Sequence, residues 1–221
     1  ADCDYEKMLE TTVRSSFANQ GQICLCGSRI LVEEKIYEKF KKDFIKKVSE
    51  LKVGNPTEAT TNIGALVSKE HLEKVKNYID IAENEGGKIL FGGNKVEVKG
   101  SENGYYLQPT IIEVSDNNCK LNQEEIFGPV VTIMFFKTDE EALHLANDVK
   151  YGLSSTVWTK DISKAMTMIN RLEAGVVYVN SPVRSDPGLP LGGYKQSGIG
   201  RELGKVGVYN YTTLKSVNIV Y

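Results

Sequence analysis

Two apolar periods take turns along this sequence, and their alternation limits the folds open to it. "KIYEKFKKDFIKKVSEL" (35–51) sets Ile36, Phe40, Phe44 and Val48 on one stripe of a helix and lysines on the other face. "GPVVTIMFFK" (128–137) is instead an unbroken apolar run, the pattern of a strand covered on both faces. The same switch recurs from end to end. Tyr5, Met8, Leu9, Thr12, Val13 and Phe17 predict a helix over 3–18, and "SRILVEE" predicts a strand over 28–34. A third helix starts at Ser68 and stops at Gly86-Gly87. Strands are expected at 88–93 and 104–114, with Pro109 near an edge or bulge. Thr138 caps a helix over 138–150; strand "LSSTVWTK", helix "DISKAMTMINRLEAG" and strand 176–180 follow. Strands alternating with helices imply an α/β fold with a largely parallel sheet. The tail "TTLKSVNIVY" alternates and predicts a last strand. Between them, 181–207 is irregular, with seven glycines and three prolines. A loop that long inside a compact domain carries a function or a partner surface.

Composition removes several classes of function. The 221 residues carry a net charge of −2, and Lys and Arg are scattered rather than gathered into a stripe, which argues against a dedicated nucleic-acid binder. No run approaches the ~18 apolar residues of a membrane span. The start, "ADCDYEKMLE", is acidic and polar, unlike a signal peptide. Cys3, Cys24, Cys26 and Cys119 are too few for a disulfide scaffold and fit a reducing cytoplasm. His71 and His144 lie on separate helices, and a Cys-x-Cys pair lacks the usual ligand gap, so no metal site is expected.

"FANQGQICLCGSR" (17–29) holds two of the four cysteines. Free cysteine is among the most buried residue types, and core packing accounts for Cys26. Cys24 has two readings. It is a small apolar filler, or it is a thiolate nucleophile on the turn made by Gly21 and Gln22, where backbone N–H groups lower a thiol's pKa.

Three blocks, "FANQGQICLCGSR", "EEIFGPV" (124–130) and "LPLGGYKQSGIGRELG" (189–204), resemble the signatures of the aldehyde dehydrogenase superfamily, in that family's order and with a similarity spanning essentially the whole chain. "RSSFANQGQICLC" most resembles the semialdehyde dehydrogenases of the aminomuconate type. The resemblance implies a Rossmann-like three-layer catalytic domain over 1–211 and an oligomerisation strand over 212–221. It puts the catalytic thiol at Cys24: the thiolate adds to an aldehyde, hydride leaves the thiohemiacetal for a nicotinamide, and water hydrolyses the thioester. The Cys24 N–H would be one oxyanion donor. Glu125 would hold the nicotinamide ribose hydroxyls, Phe127 would flank the nicotinamide, and Lys74, on the same helix as His71, would reach the ribose. Asn180 and Arg184 match the substrate-contact region, although Arg184 is shifted by one residue from the family's arginine. Read without the resemblance, Glu125 is a solvated carboxylate, Phe127 a core aromatic, Lys74 an exposed helix lysine and Arg184 a surface arginine.

Gly198, Gly200 and Gly204 come near a dinucleotide fingerprint but follow a glycine-rich loop rather than a strand, so they are not expected to bind phosphate. The resemblance implies NAD or NADP as cofactor, an aldehyde as substrate, homo-oligomers through 212–221, and a separate N-terminal cofactor-binding half. That half would supply most of the cofactor site, the general base and a second oxyanion donor. Its absence from these residues predicts an exposed apolar patch near 187–210 and little dehydrogenase activity from the chain alone. A non-catalytic remnant that assembles or binds, and a cofactor-free esterase using Cys24, remain the alternatives.

Overall fold

Four of the helices begin where a side chain accepts from the free N–H groups of the first turn. In the computed structural model, which describes residues 1–221, Asp4 accepts from the Lys7 N–H and opens α1 (Tyr5–Phe17). A 3₁₀ turn, Ala18–Gly21, leads towards β1 (Arg29–Glu33) and α2 (Glu34–Ser49). Ser68 accepts from the His71 N–H and opens α3 (Lys69–Asn84). Then come β2 (Lys88–Phe91), β3 (Thr110–Glu113), the short α4 (Lys120–Gln123) and β4 (Val130–Phe136). Thr138 caps α5 (Asp139–Asn147), whose acidic first turn complements the positive end of the helix dipole. β5 (Tyr151–Gly152) and β6 (Ser154–Val157) precede α6 (Ile162–Arg171), which Asp161 caps at two N–H groups. β7 (Val176–Val179), β8 (Tyr194–Lys195) and α7 (Gly204–Tyr209) complete the set.

The main sheet has the order β1-β4-β3-β2. β4 pairs in parallel with β1 and with β3, and β2 is an antiparallel edge. β6 and β7 form a separate parallel pair, and β5 with β8 a small antiparallel one. Period-two alternation divides the side chains between two faces. Ile111, Val131 and Ile133 pack with Phe17, Phe40 and Phe44 from α1 and α2. Ile112, Val130 and Met134 pack with Leu72, Val75 and Ile79 from α3. The expected three-layer α/β architecture is therefore present, and Val130–Met134 is buried throughout.

Phe44 is 0% exposed and stacks on Phe40 and Phe17, with ring centroids 5.2 and 6.2 Å apart. Phe44→Ala would leave a cavity where three rings meet. It is expected to cost about 3–5 kcal/mol of stability, measured by urea unfolding. A loss below ~1 kcal/mol would mean that this layer is not the core.

Three expectations need correction. Only Thr110–Glu113 of 104–114 is strand; before it, Leu107 forms an isolated bridge with Lys95. Pro109 has no N–H to donate, and a Cβ on Gly92 would lie 2.1 Å from its carbonyl oxygen, so the backbone there is too crowded for a regular ladder. Residues 212–221 form no strand within this chain: no ladder or bridge reaches them, and they are exposed from end to end. The stretch 181–207 is less irregular than expected. Leu191 and Glu202 exchange both backbone hydrogen bonds, β8 lies between them, and α7 starts at Gly204. Around it Leu189, Tyr194, Ile199, Val206, Val208 and Tyr209 are exposed, as expected of an apolar patch in that region. No helix is long and apolar enough to cross a membrane.

Candidate active site around Cys24

The turn that carries Cys24 is built by an unusual backbone. Asn19, Gln20 and Gly21 have φ of 50°, 56° and 68°, three left-handed residues in a row. Asparagine tolerates that region and glycine enters it freely. Gly21 is also required by contact: a Cβ there would sit 2.1 Å from the Gly128 carbonyl oxygen. Two bonds pin the segment. Asn19 Nδ2 donates to the Gln22 carbonyl (3.0 Å), and Gln22 Oε1 accepts from the Val67 N–H (3.1 Å). The Cys26 N–H then donates to the Ile23 carbonyl (2.9 Å), which puts Cys24 and Leu25 at the corners of a turn. Cys24 is exposed, and its N–H bonds to nothing within the chain.

Cys26 is used differently. Its thiol donates to the Ser16 carbonyl (3.0 Å), and burial pushes it up to about 12. Burial also raises Cys3 and Cys119 above the ordinary thiol range. A thiol raised as far as that of Cys26 is protonated and unreactive at pH 8. Iodoacetamide at pH 8 is therefore expected to label exposed Cys24 well ahead of Cys26 on the native chain, as located by peptide mass spectrometry. Equal labelling of Cys26 would contradict the assignment.

The second wall comes from the loop between α4 and β4. His71 and Lys74, one turn apart on α3, hold it by its carbonyls. His71 Nε2 donates to Phe127 O (2.7 Å) and Lys74 Nζ to Glu125 O (3.2 Å). Phe127 has a φ of 61°, costly for a bulky residue, and its ring lies edge-on to His71 at 6.2 Å. Tyr78 OH donates to Glu124 (2.7 Å), so that carboxylate is committed. The Glu125 carboxylate is exposed and takes no bond from the chain. Gly21, Ile23, Cys24, Glu125, Phe127 and Gly128 line one cleft of about 40 Å³. A free carboxylate beside an aromatic ring, open to solvent next to a thiol, offers acceptor oxygens suited to the paired hydroxyls of a ribose diol.

The structure thus brings Cys24, Glu125 and Phe127 together, with Lys74 behind them on a backbone carbonyl. Asn180 and Arg184 do not line this cleft. The Asn180 amide clamps Thr159, donating to its carbonyl (2.7 Å) and accepting from its N–H (3.0 Å), so it ties the end of β7 to the end of β6. Arg184 is exposed without an ion pair, and its carbonyl accepts from Tyr178 OH (2.9 Å). Sequence reasoning did not find His71 as a support of the loop; its only signal was the three-residue spacing to Lys74.

The motifs, the parallel sheet and the thiol-carboxylate cleft converge on one family. The aldehyde dehydrogenase family matches residues 1–217, and the chain belongs to it. It is 44% identical over 222 residues to 2-aminomuconic semialdehyde dehydrogenase of Danio rerio, covering 99% of this chain and 46% of that protein. It is 41% identical over 216 residues to betaine aldehyde dehydrogenase of Bacillus subtilis, covering 98% of this chain and 44% of that one. The crystal structure of betaine aldehyde dehydrogenase from Staphylococcus aureus in complex with NAD+ superimposes with a TM-score of 0.92 at 42% identity, over 95% of this chain and 42% of that one. The chain spans a little under half the length of these relatives.

Proposed function

We propose that this chain is the catalytic half of an NAD(P)-dependent aldehyde dehydrogenase that oxidises an aldehyde, of the semialdehyde type, to a carboxylic acid. The observation that carries the reading is the exposed Cys24 thiol, with an unused backbone N–H, sharing a cleft with a free Glu125 carboxylate and Phe127. Cys24 Sγ forms a bond to the aldehyde carbon, and the Cys24 N–H donates to the oxygen as negative charge grows on it. When bound, nicotinamide supplies hydride acceptance, the two-electron chemistry this reaction class requires. Water then attacks the thioester on Cys24, releasing the acid and restoring the thiol. Glu125 accepts from the ribose hydroxyls, and Phe127 flanks the nicotinamide. Lys74 and His71 keep their loop in place through its carbonyls, and Lys74 extends towards the ribose. Asn180 and Arg184 border the substrate approach. An N-terminal cofactor-binding half supplies the remaining cofactor contacts and the base. Residues 212–221 pair with a neighbouring subunit, where a strand edge would satisfy them. Four unpaired thiols suit the cytoplasm.

Glu125→Gln tests the cofactor side. It keeps the shape of the side chain but removes a charge-assisted acceptor. The dissociation constant for the dinucleotide in the assembled enzyme is expected to rise about tenfold or more. Iodoacetamide labelling of Cys24 should not change. An unaltered dinucleotide affinity would remove Glu125 from the cofactor site.

A further inference from the structure

The cofactor side of the Cys24 cleft stands on a short loop, 124–128, between α4 and β4. The far end of the loop runs into β4. Its near end is α4, one turn of four residues with no side-chain cap. A single turn fixes many dihedrals for few hydrogen bonds and is not stable by itself. Contacts outside α4 must therefore set the angle at which the chain enters the loop.

A buried side-chain bond supplies that contact. Thr132 Oγ1 donates to Asn122 Oδ1 at 2.6 Å, and the two residues are 2% and 3% exposed. Thr132 lies inside β4 and Asn122 on α4, so the bond closes the segment 122–132 across its base. Glu125 and Phe127 sit on the loop so closed. Behind Asn122 the bonds continue. Asn122 Nδ2 donates to Asn117 Oδ1 (3.3 Å), which also accepts from Arg29 Nη1 (3.3 Å). Arg29 stands opposite Thr132 in the β1–β4 ladder. Asn117 Nδ2 donates to the Asp148 carbonyl (2.9 Å), and Gln123 Nε2 donates to the same oxygen (2.8 Å), just past α5. No buried side-chain oxygen or nitrogen in the chain lacks a partner.

Stability alone does not call for this pair. Leu121, Val130 and Met134 around it belong to one apolar cluster. A buried amide bonded to a hydroxyl adds little net stability over an apolar pair of the same shape. It differs in accepting one arrangement: a short hydrogen bond tolerates little rotation, whereas apolar packing is non-directional. His71 and Lys74 hold the Phe127 and Glu125 carbonyls from α3, and Asn122 holds the root of the same loop from beneath.

We infer that Asn122 is a positioning residue for the cofactor side of the reaction. Through Thr132 it fixes α4 on β4, and thereby the place of the Glu125 carboxylate and the Phe127 ring beside Cys24. Asn122 itself does not line the cleft. The inference rests on the reading of Glu125 as the ribose acceptor, and one of the two measurements below is independent of that reading.

Asn122→Leu keeps the branched shape but neither accepts from Thr132 nor donates to Asn117. In this chain, amide exchange at 122–124, whose N–H groups bond to the Cys119 and Lys120 carbonyls, is expected to quicken about tenfold or more, with α2 unchanged. In the assembled enzyme the dissociation constant for the dinucleotide is expected to rise about tenfold. The rate of Cys24 alkylation by iodoacetamide should stay within about twofold, because the thiol keeps its surroundings. A lone buried hydroxyl also destabilises, so Asn122→Leu/Thr132→Val separates the two effects. It removes both ends of the bond, and the urea midpoint should return towards the native value, while fast exchange and weak binding persist. Thr132→Ser keeps the hydroxyl and should show neither change. Exchange and affinity that recover together with the midpoint in the double variant would overturn the inference, since the bond would then be structural only. Native exchange at 122–124 in Asn122→Leu would overturn it too. So would native affinity in Asn122→Leu where Glu125→Gln weakens binding. If Glu125→Gln leaves the affinity unaltered, the reading of Glu125 falls instead, and the exchange measurement alone decides whether Asn122 positions the loop.

Discussion

Cys24→Ala is expected to stop aldehyde oxidation in an enzyme assembled with this chain, a loss of about 10³-fold or more, because no other group can take over the covalent step. Cys26→Ala should change the rate by about tenfold or less. Cys24 stands at an exposed turn corner beside an unused N–H, whereas the Cys26 thiol is tied to the Ser16 carbonyl and raised by burial. Cys26→Ala removes a partly buried sulfur and is expected to cost stability, about 1–2 kcal/mol, rather than chemistry. The two variants therefore separate in different assays. Equal loss of oxidation from both, with both folded, would contradict the assignment of the thiol.

Gly21→Ala is expected to be the most damaging small change near the site. Two costs add. A left-handed φ of 68° costs an alanine about 1 kcal/mol. The new Cβ would also lie 2.1 Å from the Gly128 carbonyl oxygen, backbone that cannot swing aside. Relieving that contact means parting the Cys24 turn from the Glu125–Phe127 loop, so a total near 3 kcal/mol is expected. Gly86→Ala separates the two terms. Its φ of 78° is as unfavourable, but a Cβ there meets nothing within 4 Å, so only the ~1 kcal/mol conformational cost should appear. Denaturant unfolding of both variants measures the difference. Equal losses would mean that the close approach at Gly128 is not structural.

The sequence revealed elements whose apolar side chains point at the sheet. Ile36, Phe40, Phe44 and Val48 mark α2 by their spacing alone, and Val130–Met134 marks a doubly covered strand because every residue there is apolar. It misled where pairing, not pattern, decides. The alternation of 212–221 is that of a strand, yet a strand exists only beside another edge. The run 104–114 is apolar enough for a strand, but Pro109 and its close approach to Gly92 confine pairing to the last four residues. For the site, the motifs pointed to Cys24, Glu125 and Phe127, and the cleft holds all three. The hold of Lys74 on the Glu125 carbonyl spans 51 residues and leaves no local trace. The Asn180 clamp on Thr159 spans 21 residues, and only the folded chain shows that its amide is already occupied.

The central claim is that Cys24 is the nucleophile, and the most direct measurement needs only this chain. Incubation with p-nitrophenyl acetate, followed by acid quench and peptide mass spectrometry, locates the acyl group. The account predicts an acetyl thioester on Cys24 and none on Cys26, and no thioester in Cys24→Ala. An acetyl group on Cys26, or a native chain that forms no thioester at Cys24, would contradict it.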